Sequence, residues 1–428
     1  MTMTNKRVRA LLPLAAALIA TLCAPWGAAA QEPVTIYMLA ETTESHHVAQ
    51  QAVAERFHET HPHIRIEFIH SRGSIIDFML TLLAGSVPID IGYMDPWVVI
   101  EWGRQGLLED LAPYIERDAE FFGDIPQSLF DLSTVEGKIY GIPLDTQAGT
   151  VIYNVEAFNE GGVPAPTPEW TYDDLREYSR RLTLVGEDGK AIRHGFRIPT
   201  SRNWVPAVWA LGGDVLDSWT NPTRFTGNSE ATIRALEYYN DLLNIGAVQD
   251  WDAHRALGTS EQFIDRRVAM LQTNTFALGP IYDLAEFEWD LVPLPRGPAG
   301  RTGFINAHQS FIFSSSRHKE EAWEVLRFFT SPESLTQRVR ITGTMPVRLN
   351  VIRDEWLRLP GAPSRHTLLN DLPTARSPWP LHNDIWNAFD RPAQDVMWGR
   401  QGVASAVANM EQLTTAAIQA YRARHGLD

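Results

Sequence analysis

A strand–helix–strand–helix–strand alternation in the first hundred residues constrains this chain more than any other feature. Val34–Leu39 reads as a buried first strand, followed by a helical pattern with Ala49, Ala52, Val53 and Phe57 on one face. Ile64, Ile66 and Phe68 then alternate with Arg65 and Glu67 as a second strand. Residues 80–84 close another helix at Gly85, and residues 88–94 supply a third strand. Such alternation predicts an α/β fold, with a parallel sheet and crossover helices. Ligands of these sheets sit beyond the carboxyl ends of the strands. Those ends carry Glu41, Thr42 and Thr43 after the first strand, and Asp95, Pro96 and Trp97 after the third. Glu41, Thr42, Asp95 and Trp97 are therefore candidate ligand contacts.

The second organising stretch spans residues 137–154, about a third of the way along. It predicts two short β segments, 139–144 and 150–153, joined by a small-residue step from Thr146 to Gly149. Asp145 sits at the joint with no basic residue nearby in sequence, poised to accept hydrogen bonds. A polar break inside an apolar strand pair suggests one lobe handing over to another, and a chain of 428 residues suggests two domains.

Lys6, Arg7 and Arg9 precede an apolar run and then Gly27-Ala28-Ala29-Ala30, the layout of a secretory signal peptide over residues 1–30. The apolar run is too short for a membrane span. Cys23, the single cysteine, lies within it, and Leu22 is too large for the small residue that lipidation wants before a cysteine. The mature chain is then cysteine-free, without a disulfide, thiol catalysis or cysteine-based metal site. Losing three cations and no acid moves the formal charge from −15 to −18. That acidity argues against nucleic acid or anionic lipid and for small or neutral ligands. His58, His61, His63 and His70 match no standard zinc spacing, so neither a metal nor a cofactor is expected. Thirteen tryptophans lie past the leader, a surplus that suits core packing or sugar platforms.

Several ordered motifs give the chain a family resemblance. They include Tyr140-Gly-Ile-Pro143 with Tyr153-Asn154, Leu83-Ala-Gly85-Ser-Val-Pro88-Ile-Asp90, and Gly106-Leu-Leu-Glu-Asp-Leu111. Further along come the helix start Trp170-Thr171-Tyr-Asp-Asp174, Phe263-Ile-Asp-Arg-Arg-Val268-Ala269-Met270, Lys319–Phe329 and Met345-Pro346-Val347-Arg348. Together these resemble the extracellular solute-binding proteins that feed sugars to ABC importers. Departures include Arg266 where glycine is usual and Asn306-Ala307 where relatives commonly have two glycines.

The resemblance implies a two-lobed, type II-like periplasmic-binding-protein fold whose lobes are joined by three hinge crossings. Residues 31–146 plus 306–345 would form one lobe, and 147–305 plus 346–428 the other. Asp145 and Tyr153 would line the first crossing, Asn306 and His308 the second, and Arg348 the third, reaching the cleft as a clamp. Trp204, before the Gly212-Gly213 turn, would be the ligand-facing aromatic in preference to Trp209, with Phe276 a smaller ring nearby. The implied function is non-enzymatic: a soluble periplasmic monomer that captures a carbohydrate, a di- or oligosaccharide, by hinge closure and delivers it to membrane permease subunits. Two alternatives stand beside it: a secreted glycoside hydrolase with paired carboxylates such as Glu41, Asp95 and Asp145, or a receptor for a polyol, peptide or metal. Mass spectrometry of the exported protein is expected to find Gln31 as the first residue, without lipid at Cys23.

Overall fold

The computed structural model describes residues 32–427 except Leu257 and Pro380, so the expected leader lies outside the described residues. β1 (Val34–Leu39), α1 (Glu44–Thr60) and β2 (Ile64–Ile69) form the expected crossover, with Val34 opposite Ile64 and Ile36 opposite Ile66 in a parallel pair. α1 buries His46, Ala49, Gln50, Val53, Ala54 and Phe57, a stripe at helical spacing. α2 (Ile75–Ala84) leads into β3 (Ile91–Met94), which lies parallel to β1 on its other side. α3 (Pro96–Arg104) starts immediately after, with Asp95 as N-cap and Pro96 at the first helical position, where a missing N–H costs nothing.

β4 (Ile142–Pro143) ends this first pass, and the chain leaves for a second sheet. That sheet contains β5 (Gln147–Asn154), β6 (Leu184–Val185), β7 (Ala191–Arg197), β8 (Val268–Asn274), β9 (Trp289–Pro293) and β10 (Ile305–Asn306). Its order is β9–β5–β8–β7–β6, with β10 pairing the start of β5. β11 (Gln309–Ile312) returns antiparallel between β3 and β4, completing a first sheet ordered β2–β1–β3–β11–β4. Among the helices, α4 (Val205–Ala210) and α5 (Glu230–Asn244) share an apolar core with the second sheet. α6 (Lys319–Phe329) and α7 (Pro332–Thr342) pack against α1, α8 (Leu349–Asp354) follows, and α9 (Asn383–Met397) and α10 (Val403–His425) close on α5. The sequence therefore folds as the expected two-lobed α/β architecture. α6 has the expected bounds and buries Ala322, Val325, Leu326 and Phe329.

β5 begins at Gln147, three residues earlier than the expected second segment. The cause is a long-range partner: Ala148 pairs with Ile305 and Gln147 with Asn306, so a stretch without strong local β signal is held extended by the second crossing. The three crossings are also stitched to one another. Leu144 N–H donates to His308 O at 2.8 Å, Thr146 N–H to Met345 O at 2.8 Å, and the Thr146 hydroxyl to Pro346 O at 2.9 Å.

Just past the third crossing the chain still packs on the first sheet's side, and this overturns the expected clamp. Arg348 is buried, with Nε donating to Thr330 O at 2.6 Å and a terminal nitrogen to Phe121 O at 2.7 Å. It also pairs with Asp124 and stacks 4.4 Å over Phe121. Val347, Val351 and Ile352 join an apolar cluster with Leu129 and Phe329, which draws Arg348 inward beside them. The tryptophan surplus is likewise structural: all thirteen past the leader are buried except Trp97, Trp251 and Trp379.

The crossings enclose one ion pair. Asp145, 1% exposed at its side chain, accepts from the His308 main-chain N–H at 3.0 Å and lies 2.8 Å from His308 Nδ1. Burial alone would lower the His308 pKa, but the adjoining Asp145 carboxylate outweighs it and raises the value to about 9. Burial would correspondingly raise Asp145, and His308 outweighs that to hold it below the ordinary value of 3.8. The folded state therefore keeps the His308 proton more tightly than the unfolded chain. This stabilisation is complete below the ordinary histidine value of 6.5 and is lost as pH rises through about 9. At the acid end, the Asp145 contribution is present above 3.8 and is lost as pH falls through its lowered value. Thermal denaturation from about pH 7 to about pH 10 should show a falling midpoint. His308→Gln should start lower and lose that part of the decline.

Candidate functional site

The pair Asp145–His308 forms the floor of a polar constellation between the two sheets. Gln147, the first residue of β5, donates to Asp145 Oδ1 at 3.3 Å and accepts from Asn306 Nδ2 at 3.0 Å. Asn306 Nδ2 also reaches Asp95 Oδ1 at 3.3 Å, and His308 Nε2 lies 3.9 Å from the same oxygen. Asp95 makes no capping bond to its own helix, so its quarter-exposed carboxylate is turned to this group instead. The α3 dipole adds to that setting, since the positive end of a helix favours an anion at its N-terminus.

Aromatic and imidazole rings line the same place. Phe276, just past β8, lies edge-on to His308 at 4.9 Å and stacks on His46 at 4.6 Å with planes 9° apart. His46 Nε2 lies 2.9 Å from the Thr344 hydroxyl, tying the start of α1 to the third crossing. Burial, helped by the nearby Arg338 charge, lowers the His46 pKa to about 4, so this ring is neutral where His308 is charged. Thr42 is exposed at the β1 end, its N–H donating to the Tyr93 hydroxyl at 3.0 Å. Trp97 is partly buried, with its ring edge-on to His382 at 5.5 Å.

Besides Arg348, five expected contacts fall elsewhere. Glu41 is at the expected strand end, but both of its oxygens accept from Arg338 at 2.6 Å, leaving a closed buried pair rather than a free acceptor. Tyr153 points into the second lobe's core, its hydroxyl 3.5 Å from Asp290, because a residue six places into β5 is well past the crossing. Trp204 is fully buried and donates to Asp390 Oδ1 at 2.8 Å, since the turn before α4 aims it at α9 rather than the cleft. Trp209 is no substitute: it is buried, donates to Asp214 at 3.0 Å and lies beneath Arg376. Gly212 and Gly213 form the turn after α4. Gly212 has φ +83°, and a Cβ on Gly213 would stand 2.5 Å from Ala231, which accounts for both glycines by turn and packing.

The basic residue of that segment is Arg202, buried at 4% exposure, which sequence reasoning passed over. It lies between Trp379 and Trp386, 4.6 and 4.7 Å from their ring centres. Its guanidinium donates to Asn383 Oδ1 at 2.9 Å and Leu381 O at 3.3 Å. Burial lowers its pKa to about 10, with the Asp95 charge acting in the opposite direction, so Arg202 stays protonated at neutral pH and senses Asp95 from the other lobe. Its place five residues beyond the end of β7 was the available signal, by the same strand-end rule that pointed to Asp95. Gln147 and Arg338 were also missed: Asn306 lies 159 residues from Gln147 and Glu41 lies 297 from Arg338, so neither contact has a local signature.

The four histidines of the early cluster have separate settings. His58 Nε2 accepts from Ile66 N–H at 3.0 Å, His61 stacks on Phe57 at 4.3 Å, His63 lies 3.4 Å from Glu324, and His70 lies edge-on to His47 at 4.8 Å.

The chain is 24% identical over 303 residues to a protein of Brucella abortus named as a binding protein, a match covering 69% of this chain and 72% of the relative. Among solved structures, an ABC substrate-binding protein of Listeria monocytogenes in complex with cycloalternan superposes with a TM-score of 0.78 at 21% identity, covering 91% of this chain and 99% of that one. Maltose-bound MalE3 of T. maritima superposes with a TM-score of 0.75 at 21% identity, covering 90% and 99%. Residues 40–335 match the bacterial extracellular solute-binding protein family, and this chain belongs to it.

Proposed function

We propose that the protein captures a neutral, hydroxyl-rich solute, a carbohydrate, between its lobes and hands it to the membrane permease of an ABC importer. In this reading it acts as a soluble monomer outside the cytoplasm and performs no chemistry on the ligand. Among the described residues no helix is long and apolar enough to cross a membrane, which is compatible with that role. The observation that carries the reading is Asp95. Its carboxylate is uncommitted to its helix, stands beside the Asn306 amide and the charged His308 ring, and lies within reach of the Arg202 charge. Such a group accepts from sugar hydroxyls, while Phe276 and Trp97 offer faces for a ring.

Charge matching favours a neutral ligand. Glu41 is cancelled by Arg338 and Asp145 by His308, and the Arg202 charge offsets Asp95, so these charges balance. The family's character as a binding family and the sugars bound in the two similar structures point the same way. The hydrolase alternative loses support. A glycosidase needs one carboxyl with a raised pKa, whereas Asp145 is held low and Glu41 is locked to Arg338.

A thermal-shift screen of mono-, di- and trisaccharides and polyols, followed by calorimetry on whichever stabilises the protein, tests this reading. With that ligand, Asp95→Ala should weaken binding about 5- to 150-fold, the equivalent of about 1–3 kcal/mol for stranded hydroxyl partners. Arg348→Ala should do the reverse. It should leave affinity unchanged while lowering unfolding stability by about 1.5–3 kcal/mol, since it removes charged hydrogen bonds inside the first lobe. Turnover of the bound sugar, or no sugar bound at all, would refute the assignment.

A further inference from the structure

The two lobes touch at a place away from the hinge. Trp97, Glu101 and Arg104 occupy positions i, i+4 and i+7 of α3 and so share one face of that helix. This face meets residues from the other lobe: His382, which caps α9, and Tyr421 with His425, four apart near the end of α10. Trp97 lies edge-on to His382, with ring centres 5.5 Å apart. Glu101 Oε2 is 3.2 Å from His425 Nε2, both side chains being 9% exposed. Arg104 donates to the Tyr421 hydroxyl and lies 5.8 Å from its ring centre. The second-lobe side is a single ring cluster, with His382 5.3 Å from Tyr421 and Tyr421 4.6 Å from His425. Gln105 holds the other Glu101 oxygen at 2.7 Å.

From these contacts we infer that Trp97, Glu101 and Arg104 with His382, Tyr421 and His425 form a ligand-independent clasp that biases the hinge toward closure. They are positioning residues: apart from Trp97, they act on binding without touching the solute. The inference rests on the hinged-capture reading above. α3 runs outward from Asp95 at the crossings, and nine helical residues span about 13 Å. The contacts therefore extend from beside the ligand site toward the rim, where a small separation of the lobes breaks them all. A clasp of this kind raises the population of the closed form before ligand arrives. It thereby reduces the fraction of intrinsic affinity lost to conformational selection. The chemistry suits a reversible contact, because a carboxylate, imidazoles, a phenol and a guanidinium are all readily solvated once the lobes part.

Small-angle scattering from the ligand-free mature protein decides it. The wild type should give the radius of gyration of the closed two-lobed structure described above. Glu101→Ala/Arg104→Ala and, separately, His425→Ala should give larger values, with thermal midpoints close to wild type. Arg104→Lys, which retains a donor for Tyr421, should stay near the wild-type value. For a sugar that stabilises the wild type, the double variant should bind about tenfold more weakly. The clasp is disproved by a wild type already more open than this structure, or by variants as compact as wild type. The scattering requires no sugar, so a failed ligand screen would count against the carbohydrate reading alone. If the double variant loses its fold, His425→Ala, in the last turn of the last helix, carries the decision.

Discussion

The buried pair between Asp145 and His308 is the contact on which the rest of the architecture turns. It joins the first crossing to the second, at the place where the chain leaves one sheet and returns to it. A buried ion pair is a poor source of stability in general, because desolvating both charges offsets most of their attraction. Its value here is positional. The Asp145 carboxylate takes a main-chain N–H as well as the imidazole, so it fixes the backbone of residue 308 along with its ring. With that ring fixed, Nε2 points toward Asp95, and the Asn306 amide two residues earlier reaches the same carboxylate. The floor of the cleft and the hinge are thus one hydrogen-bonded object. A ligand that draws on Asp95 acts directly on the element about which the lobes move.

Much of the fold was legible because its signals are local. Ile64 and Ile66 alternate with polar neighbours, α6 shows a clean apolar stripe, and the Thr171 to Asp174 capping box forms as the sequence predicts. The site was legible only in part. Asp95 and Trp97 follow from a strand-end rule that depends on topology, and topology was readable. Trp204 and Arg348 went wrong for a shared physical reason. Both were assigned to the cleft for their chemistry, but where a side chain goes depends on packing partners distant in sequence. Asp390 lies 186 residues from Trp204, and Asp124 lies 224 from Arg348. A long aromatic or cationic side chain near a crossing can bury itself as readily as face solvent, and the apolar residues around these two decide for burial.

Arg202 illustrates the converse. A lone arginine carries little sequence signal of its role beyond its place past a strand end, yet the two tryptophans around it hold its guanidinium in one orientation. Stacking between aromatic faces suits arginine, whose planar and weakly hydrated head group loses little on partial burial. The tryptophans that a composition argument would assign to sugar rings act here on a cation instead. This explains how a chain rich in tryptophan can have so few exposed ones. Its rings are used to aim polar groups, Trp204 at Asp390 and Trp209 and Trp219 at Asp214, as well as to fill space.

These placements divide the cleft by mechanical role. The crossings hold Asp145, His308, Asn306 and Gln147 in a network satisfied from three chain segments, which can flex only a little without breaking. Asp95 belongs to the first lobe and Arg202 to the second, so their separation changes with every degree of hinge motion. On the proposed reading, a neutral polyhydroxy ligand donates to Asp95 within the field of the buried Arg202 charge. It thereby converts an electrostatic attraction across water into short hydrogen bonds in a drier site, where each is worth more. An anion would be attracted by Arg202 but repelled by Asp95, and a cation the reverse. On the proposed reading, opposed charges on opposite lobes favour ligands that carry hydroxyls and no net charge.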